Sequence, residues 1–246
     1  MNPCMKPAFF TSLRQFPSLW EGGLPALTYH KVGPRPWGVR LRGLYLSPSL
    51  FRRQLEELTQ VGATFLTPND FPQSATKERG IVLTFDDGFA NTLRYALPSL
   101  LTHRATAIQF LVADRLGRFN GWEIAQGEVF ERLTDRSEVR DWLAAGQLIG
   151  AHTRTHPHLP TIPLRQARDE IFGSKKKLED LFGCSIDHFC YPYGEVSPAI
   201  IDLVGEAGFR TAWTTRPVPN PPDAHPLLLG RYTARGRTFR LFPRRP

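Results

Sequence analysis

The sequence predicts an α/β protein with parallel strands and helical crossovers, either an α/β barrel or an open α/β sheet. Three observations carry this. Short strand-like runs alternate with helical stretches through most of the chain. Runs such as Ile81-Val82-Leu83 and 105–112 are apolar enough to be buried strands. The length, 246 residues, fits an α/β barrel built as one domain.

The elements follow in order. Residues 1 to about 25 lack periodicity, carry Pro and Gly, and read as an irregular lead-in; a single domain is expected over 26–246. "ALTYH" (26–30) is a strand ending in a histidine, and the Gly-, Pro- and Arg-rich 32–46 is loop. "SPSLFRRQLEELTQVG" is a helix, with Ser47 as cap, Pro48 in the first turn and Gly62 as stop. Its apolar face is Leu50, Phe51, Leu55, Leu58 and Val61. Strands are expected at 63–67 and 81–85, a helix over 92–103 despite Pro98, and a strand at 105–112. A helix over 137–146, a strand at 147–152 and a long amphipathic helix over 164–182 come next. The chain closes with a strand and turn at 187–194, a helix at 197–207 and a strand at 209–215.

Composition excludes several classes. Apolar residues make up 41% and charged residues 22%, ordinary for a globular protein with a sizeable core. The net charge is +8, but the basic residues are scattered. The densest groups are Lys175-Lys176-Lys177 and the tail Arg235 to Arg245, and no nucleic-acid motif accompanies them. No nucleic-acid partner is expected. Cys4, Cys184 and Cys190 form neither a disulfide framework nor a C-x-x-C metal site. No run of about 18 apolar residues predicts a transmembrane helix. No signal peptide is read at the N-terminus, so the sequence points to the cytoplasm, or to export if the true start lies upstream; a monomer is expected.

The predicted strand ends are unexpectedly polar. His30 ends one, "TFDDG" (84–88) follows another, "HTRTH" (152–156) follows a third, and Tyr193-Gly194 a fourth. Parallel strands would bring these groups to one rim, where the reactive loops of such folds lie. Neither H-x-x-x-H nor Asp-Asp-Gly alone is specific, since loop histidines and Asp-Gly turns are common. Together, two imidazoles and one carboxylate make a three-ligand set with an open position, as in catalytic zinc sites. A cation there would also let the second Asp stay ionised beside the first, free to accept a proton.

These segments resemble the motifs of the polysaccharide deacetylases with a NodB-homology domain, carbohydrate esterase family four. "TFDDG" resembles the first motif, "HTRTH" the second, H-[ST]-x-x-H, and "YPYG" the third, R-x-P-[FY]-G. The core of the resemblance spans about 80–235. "ALTYHKV" followed by "LSPSLFRRQLEELTQVGATFLT" resembles the circularly permuted branch that includes poly-β-1,6-N-acetylglucosamine deacetylases, in which the histidine motif comes first.

The resemblance implies a distorted (β/α)7 barrel of the NodB-homology, glycoside hydrolase-deacetylase type. It implies Asp86 as general base; Asp87, His152 and His156 as metal ligands; His30 as the acid for the leaving amine; and the backbone N–H of Tyr193 as an oxyanion donor. The implied cofactor is a divalent ion, zinc first, with nickel, cobalt or iron also suited to an Asp-His-His set. The implied substrate is an N-acetylated glycan or glycoconjugate. Two positions depart from the family pattern: Cys190 stands at the third-motif arginine, and Ala212 at the aspartate before Trp213. Arg231 is a candidate substitute for the missing arginine. Trp213 and Leu229 are candidates for an acetyl-binding wall, with core packing as the alternative. The rival readings are a sister enzyme acting on another C–N bond, a silent glycan-binding homologue, and an anion binder prompted by the charge alone.

Overall fold

The structure is a computed structural model that describes residues 17–72, 78–124 and 127–234. The basic tail 235–245 and Cys4 lie outside the described residues. In chain order the elements are β1 (Ala26–Tyr29), β2 (Lys31–Val32), β3 (Tyr45–Leu46), α1 (Pro48–Gln60), β4 (Thr64–Leu66), β5 (Gly80–Phe85), α2 (Ala90–Tyr95), α3 (Leu97–Thr102), β6 (Ala107–Leu111), α4 (Gly121–Ile124), α5 (Arg136–Ala144), β7 (Leu148–Ala151), α6 (Leu164–Phe182), β8 (His188–Cys190), α7 (Pro198–Glu206), β9 (Thr211–Trp213) and β10 (Tyr232–Thr233). Several strands are shorter than the sequence suggests, with His30 and His152 leaving the ends of β1 and β7, and the expected loop over 32–46 contains Val32 of β2 and the short strand β3.

The helices obey their local signals. Ser47 Oγ accepts from the Leu50 N–H at 3.2 Å and caps α1. Asp135 caps α5 in a reciprocal box with Glu138. Gly183 ends α6 at φ 67°. The single helix expected over 92–103 is instead two, broken at Ala96, with Pro98 in the first turn of α3. Proline has no N–H to give a preceding turn, so the chain restarts the helix there. In the lead-in, Leu19 and Leu24 are buried and the Trp20 indole donates to the Gly80 carbonyl at 2.8 Å.

All strands of the main sheet pair in parallel, in the order β10-β1-β5-β6-β7-β8-β9, with β4 beside the first half of β5. The sheet curls, and the segment before β10 bridges its seam. Leu229 exchanges backbone hydrogen bonds with Ala212 and Thr214 on the β9 side. Tyr232 and Thr233 then pair with β1. The result is a curled, eight-stranded parallel half-barrel flanked by helices, the α/β class that the sequence predicts, with seven strands along the curl and β4 outside that path.

Strand parity divides the core in two. Ala26, Val82, Ile108, Phe110, Cys190, Trp213 and Leu229 pack together inside the curl. Leu27, Tyr29, Leu83, Phe85, Leu111, Phe189 and Ala212 face the helices. Both faces of the strands are covered, which explains their nearly unbroken apolar runs. Trp213 and Leu229 are fully buried in the inner cluster, where they pack the core.

Candidate metal centre and active site

The register of the sheet assembles the site. Tyr29 lies beside Phe85, and the Asp86 N–H donates to the Tyr29 carbonyl at 2.9 Å, so His30 and Asp86 leave the sheet side by side. Ala151 pairs with Leu111, and the His152 N–H donates to the Leu111 carbonyl at 2.9 Å. Asp86 keeps the parity of Val82 and Thr84, which turns it into the barrel mouth.

The turns that follow are strained where the chemistry gathers. Asp87, Thr153, His156 and Tyr193 all have positive φ, between 61° and 71°. Left-handed backbone costs a non-glycine residue roughly 1–2 kcal/mol, so other contacts must hold these turns. Glu170 on α6 accepts from the Arg154 and Thr155 N–H groups at 2.8 and 2.9 Å and from the Thr155 hydroxyl at 2.6 Å. The His156 N–H donates to Thr153 Oγ1 at 3.0 Å. Gly194 has φ 73°, and a Cβ there would lie 2.1 Å from Thr215 Oγ1, so this turn requires glycine.

Asp87, His152 and His156 converge. Asp87 Oδ1 lies 3.3 Å from Nε2 of each imidazole, and all three side chains are buried. A tetrahedron of ligands at zinc-like bond lengths has edges of about 3.3–3.4 Å, so the spacing fits one small divalent ion. His152 Nδ1 lies 2.7 Å from the Cys190 carbonyl, a bond in which Nδ1 is the donor and which turns Nε2 towards Asp87. The donor set is therefore a carboxylate and imidazoles aimed at one another, which only positive charge can reconcile. Burial opposes the charge of Asp87, yet the two imidazoles hold it well below the usual carboxylate range. Burial pushes His156 below its ordinary value, towards the neutral ligand form. Its Nδ1 is buried with no hydrogen-bond partner among the described residues.

Asp86, His152 and Cys190 also approach one another closely enough to be considered as ligands. A cation is excluded there by the Arg231 guanidinium. Arg231 is fully buried, and Nη1 and Nη2 donate to the two Asp86 oxygens at 2.6 and 2.8 Å. Nη1 also donates to Thr84 Oγ1 at 2.8 Å, Nε to the Thr214 carbonyl at 3.0 Å, and Nη2 to Cys190 Sγ at 3.0 Å. All five guanidinium N–H groups have an acceptor. Burial alone would raise the Asp86 pKa, but Arg231 overrides it and holds the carboxyl below its ordinary value. His30 Nε2 stands 4.0 Å from Asp86 Oδ2.

His30, Asp86, Asp87, His152 and His156 line one cavity of about 250 Å³ with Leu41, Leu44, Trp122, Glu123, Tyr191, Tyr193 and Thr215. Trp122 stacks on His156 at 4.5 Å and Tyr193 on His158 at 3.7 Å. The Tyr193 N–H has no acceptor among the described residues. The six residues to which the resemblance gives catalytic or ligand roles, His30, Asp86, Asp87, His152, His156 and Tyr193, thus line one cavity.

The model of the family described as polysaccharide deacetylase matches residues 73–212, more than half of the chain. This chain belongs to the polysaccharide deacetylase family. Among its deacetylase relatives is YxkH of Bacillus subtilis, named for the same family, 24% identical over 199 residues, or 79% of this chain and 65% of the relative. The chitooligosaccharide deacetylase of Azorhizobium caulinodans is 26% identical over 142 residues, covering 57% of this chain and 60% of the relative. The chain spans 60–65% of the length of the curated relatives it matches. The crystal structure of a polysaccharide deacetylase from Bacillus cereus is 25% identical, covers 87% of this chain and 65% of that one, and superposes with a TM-score of 0.74.

Within this deacetylase fold, the two departures from the motif pattern have a geometric account. Cys190 points inward, and its small side chain leaves room for Arg231 to reach Asp86 from the barrel seam. A second arginine at 190 would crowd two cations on one carboxylate. Ala212 packs in the helix-side core, so an aspartate in this register would be buried away from the pair. The candidate substitute Arg231 therefore stands against Asp86, not on the surface. The cavity residues Leu41, Leu44, Trp122, Glu123 and Thr215 escape sequence reasoning, since they come from irregular segments or the one-turn α4 without periodic or motif signals; Tyr191 falls inside "YPYG", where the sequence gives it no role of its own. The remaining histidines are structural or peripheral. His188 bonds to Thr211 and Asn69, with burial pushing its pKa down to about 4. The lysine cluster is matched by acids: Lys175 pairs with Glu179, Lys176 with Asp180 and Lys177 with Asp114.

Proposed function

We propose that this chain hydrolyses N-acetyl groups on an amino-sugar-containing polysaccharide or glycoconjugate, with a divalent metal ion held by Asp87, His152 and His156, within a single domain over 26–246. The observation that carries the proposal is the juxtaposition of that ligand set with a separate carboxylate, Asp86, that has its own buried counter-ion. Binding alone needs no second acid kept charged beside the first.

A divalent ion held by Asp87, His152 and His156 would supply Lewis-acid polarisation of the acetyl carbonyl and would make an attacking water easier to deprotonate. Asp86, held ionised by Arg231, accepts the proton of that water. The Tyr193 N–H, lacking an internal acceptor, donates to the developing oxyanion. His30, across a 4.0 Å gap from Asp86, gives a proton to the departing nitrogen, which would otherwise leave as a strongly basic amide anion. The products are acetate and a free amino sugar.

The test is acetate release from N-acetylglucosamine oligomers by protein stripped of metal and reloaded with zinc or cobalt. Release that stops with chelator and returns with metal is expected. Metal-loaded protein that frees no acetate from any N-acetylated glycan would overturn the reading.

A further inference from the structure

The cavity wall holds a charged pair that the reaction does not use. Lys31, fully buried, donates from Nζ to Glu123 Oε2 at 2.6 Å. The ammonium lies over the rings of Phe89 at 4.4 Å and Tyr45 at 5.1 Å. Asn120 Nδ2 donates to the same oxygen at 2.7 Å and is itself fixed, because Nδ2 also donates to the Val129 carbonyl and Oδ1 accepts from the Glu131 N–H. Glu123 is 5% exposed and lines the cavity, and its other oxygen, Oε1, has no hydrogen-bond partner among the described residues.

Stability does not explain this arrangement. A buried ion pair is often no more stable than apolar residues of the same size, and a carboxylate with one oxygen unserved is worse than a satisfied one. Its position is more telling. Lys31 directly follows His30, and Glu123 directly follows Trp122, which stacks on His156. The pair therefore ties together two walls of the cavity and holds the Glu123 carboxylate by its Oε2 alone.

We infer that Glu123 Oε1 accepts a hydrogen bond from a hydroxyl of the sugar whose acetamido group is cleaved, making Glu123 a specificity residue beside the reacting atoms. The inference rests on the deacetylase reading above. Lys31 and Asn120 occupy Oε2 and leave Oε1 for the ligand. A hydroxyl is the matching donor, and a sugar carrying an acidic group at that position would be repelled.

The experiment is a double-mutant cycle between protein and substrate. N-acetylglucosamine oligomers and analogues with a single ring hydroxyl replaced by hydrogen are compared on wild type and Glu123→Gln. A hydrogen bond to a charged acceptor corresponds to about a 10- to 100-fold change. Glu123→Gln is expected to raise KM by that order on the parent oligomer, and by much less on one deoxy analogue. The paired variant Lys31→Met/Glu123→Leu removes both charges and serves if the single variant fails to fold. Equal losses on the parent and every analogue would indicate a purely structural pair and overturn the inference, as would no loss at all. The same cycle is read as binding affinity by calorimetry. Silence in acetate release alone would thus sink the deacetylase reading while the hydroxyl contact is still judged.

Discussion

Replacing Arg231 with methionine is expected to destabilise the fold by about 3–5 kcal/mol, the cost of leaving one member of a buried pair uncompensated. Asp86 would remain in the barrel mouth without its bidentate partner. The second consequence is a change in pH dependence. Arg231 now holds the Asp86 carboxyl below its ordinary value against the opposing effect of burial. A depressed native pKa contributes stability that is complete above the unfolded value of about 4 and is lost as pH falls through the native value. Without Arg231, burial dominates, the carboxyl moves up, and the base is protonated at higher pH. The acidic limb of kcat/KM should therefore shift upwards in Arg231→Met. Denaturant melts and a pH–rate profile check both effects; an unmoved limb would show that Arg231 does not set the ionisation of Asp86.

Asp86→Asn should lower kcat by about 10²–10⁴-fold, the usual contribution of a positioned general base, and leave the metal stoichiometry unchanged. In the proposed site the ligand atoms would come from Asp87, His152 and His156, while both Asp86 oxygens face Arg231. The variant also leaves the Arg231 cation facing a neutral amide, so a loss of stability accompanies the loss of rate. Kinetics on protein shown to be folded by circular dichroism separate the two. Near-normal turnover would remove Asp86 from the proton-transfer role.

Much of the site is legible in the sequence because it follows strand ends. The apolar run ending at Phe85 predicts where Asp86 and Asp87 emerge, and His30 and His152 follow strands in the same way. Strand parity adds that Asp86 points inward. Arg231 is harder to read, since it sits in a seam segment that pairs with β9 at one end and with β1 at the other. Nothing in "LLLGRY" reveals that its guanidinium meets a carboxylate 145 residues earlier in the chain. Trp122 and Glu123 are invisible for a related reason: α4 spans only Gly121–Ile124, too short for periodicity, and Lys31 stands in β2, a strand of two residues with no alternation to read. The Pro98 break shows the limit of apolar spacing, which runs through 92–103 while the missing N–H divides the helix.

Calorimetric titration of metal-free protein with zinc reaches the core of the account. Asp87, His152 and His156 as the ligands predict one ion per chain. Tight binding should be lost in Asp87→Ala and in His156→Ala, and kept in His30→Ala and Asp86→Asn. Unchanged binding in the Asp87 and His156 variants, or no binding by the wild-type chain, would contradict it.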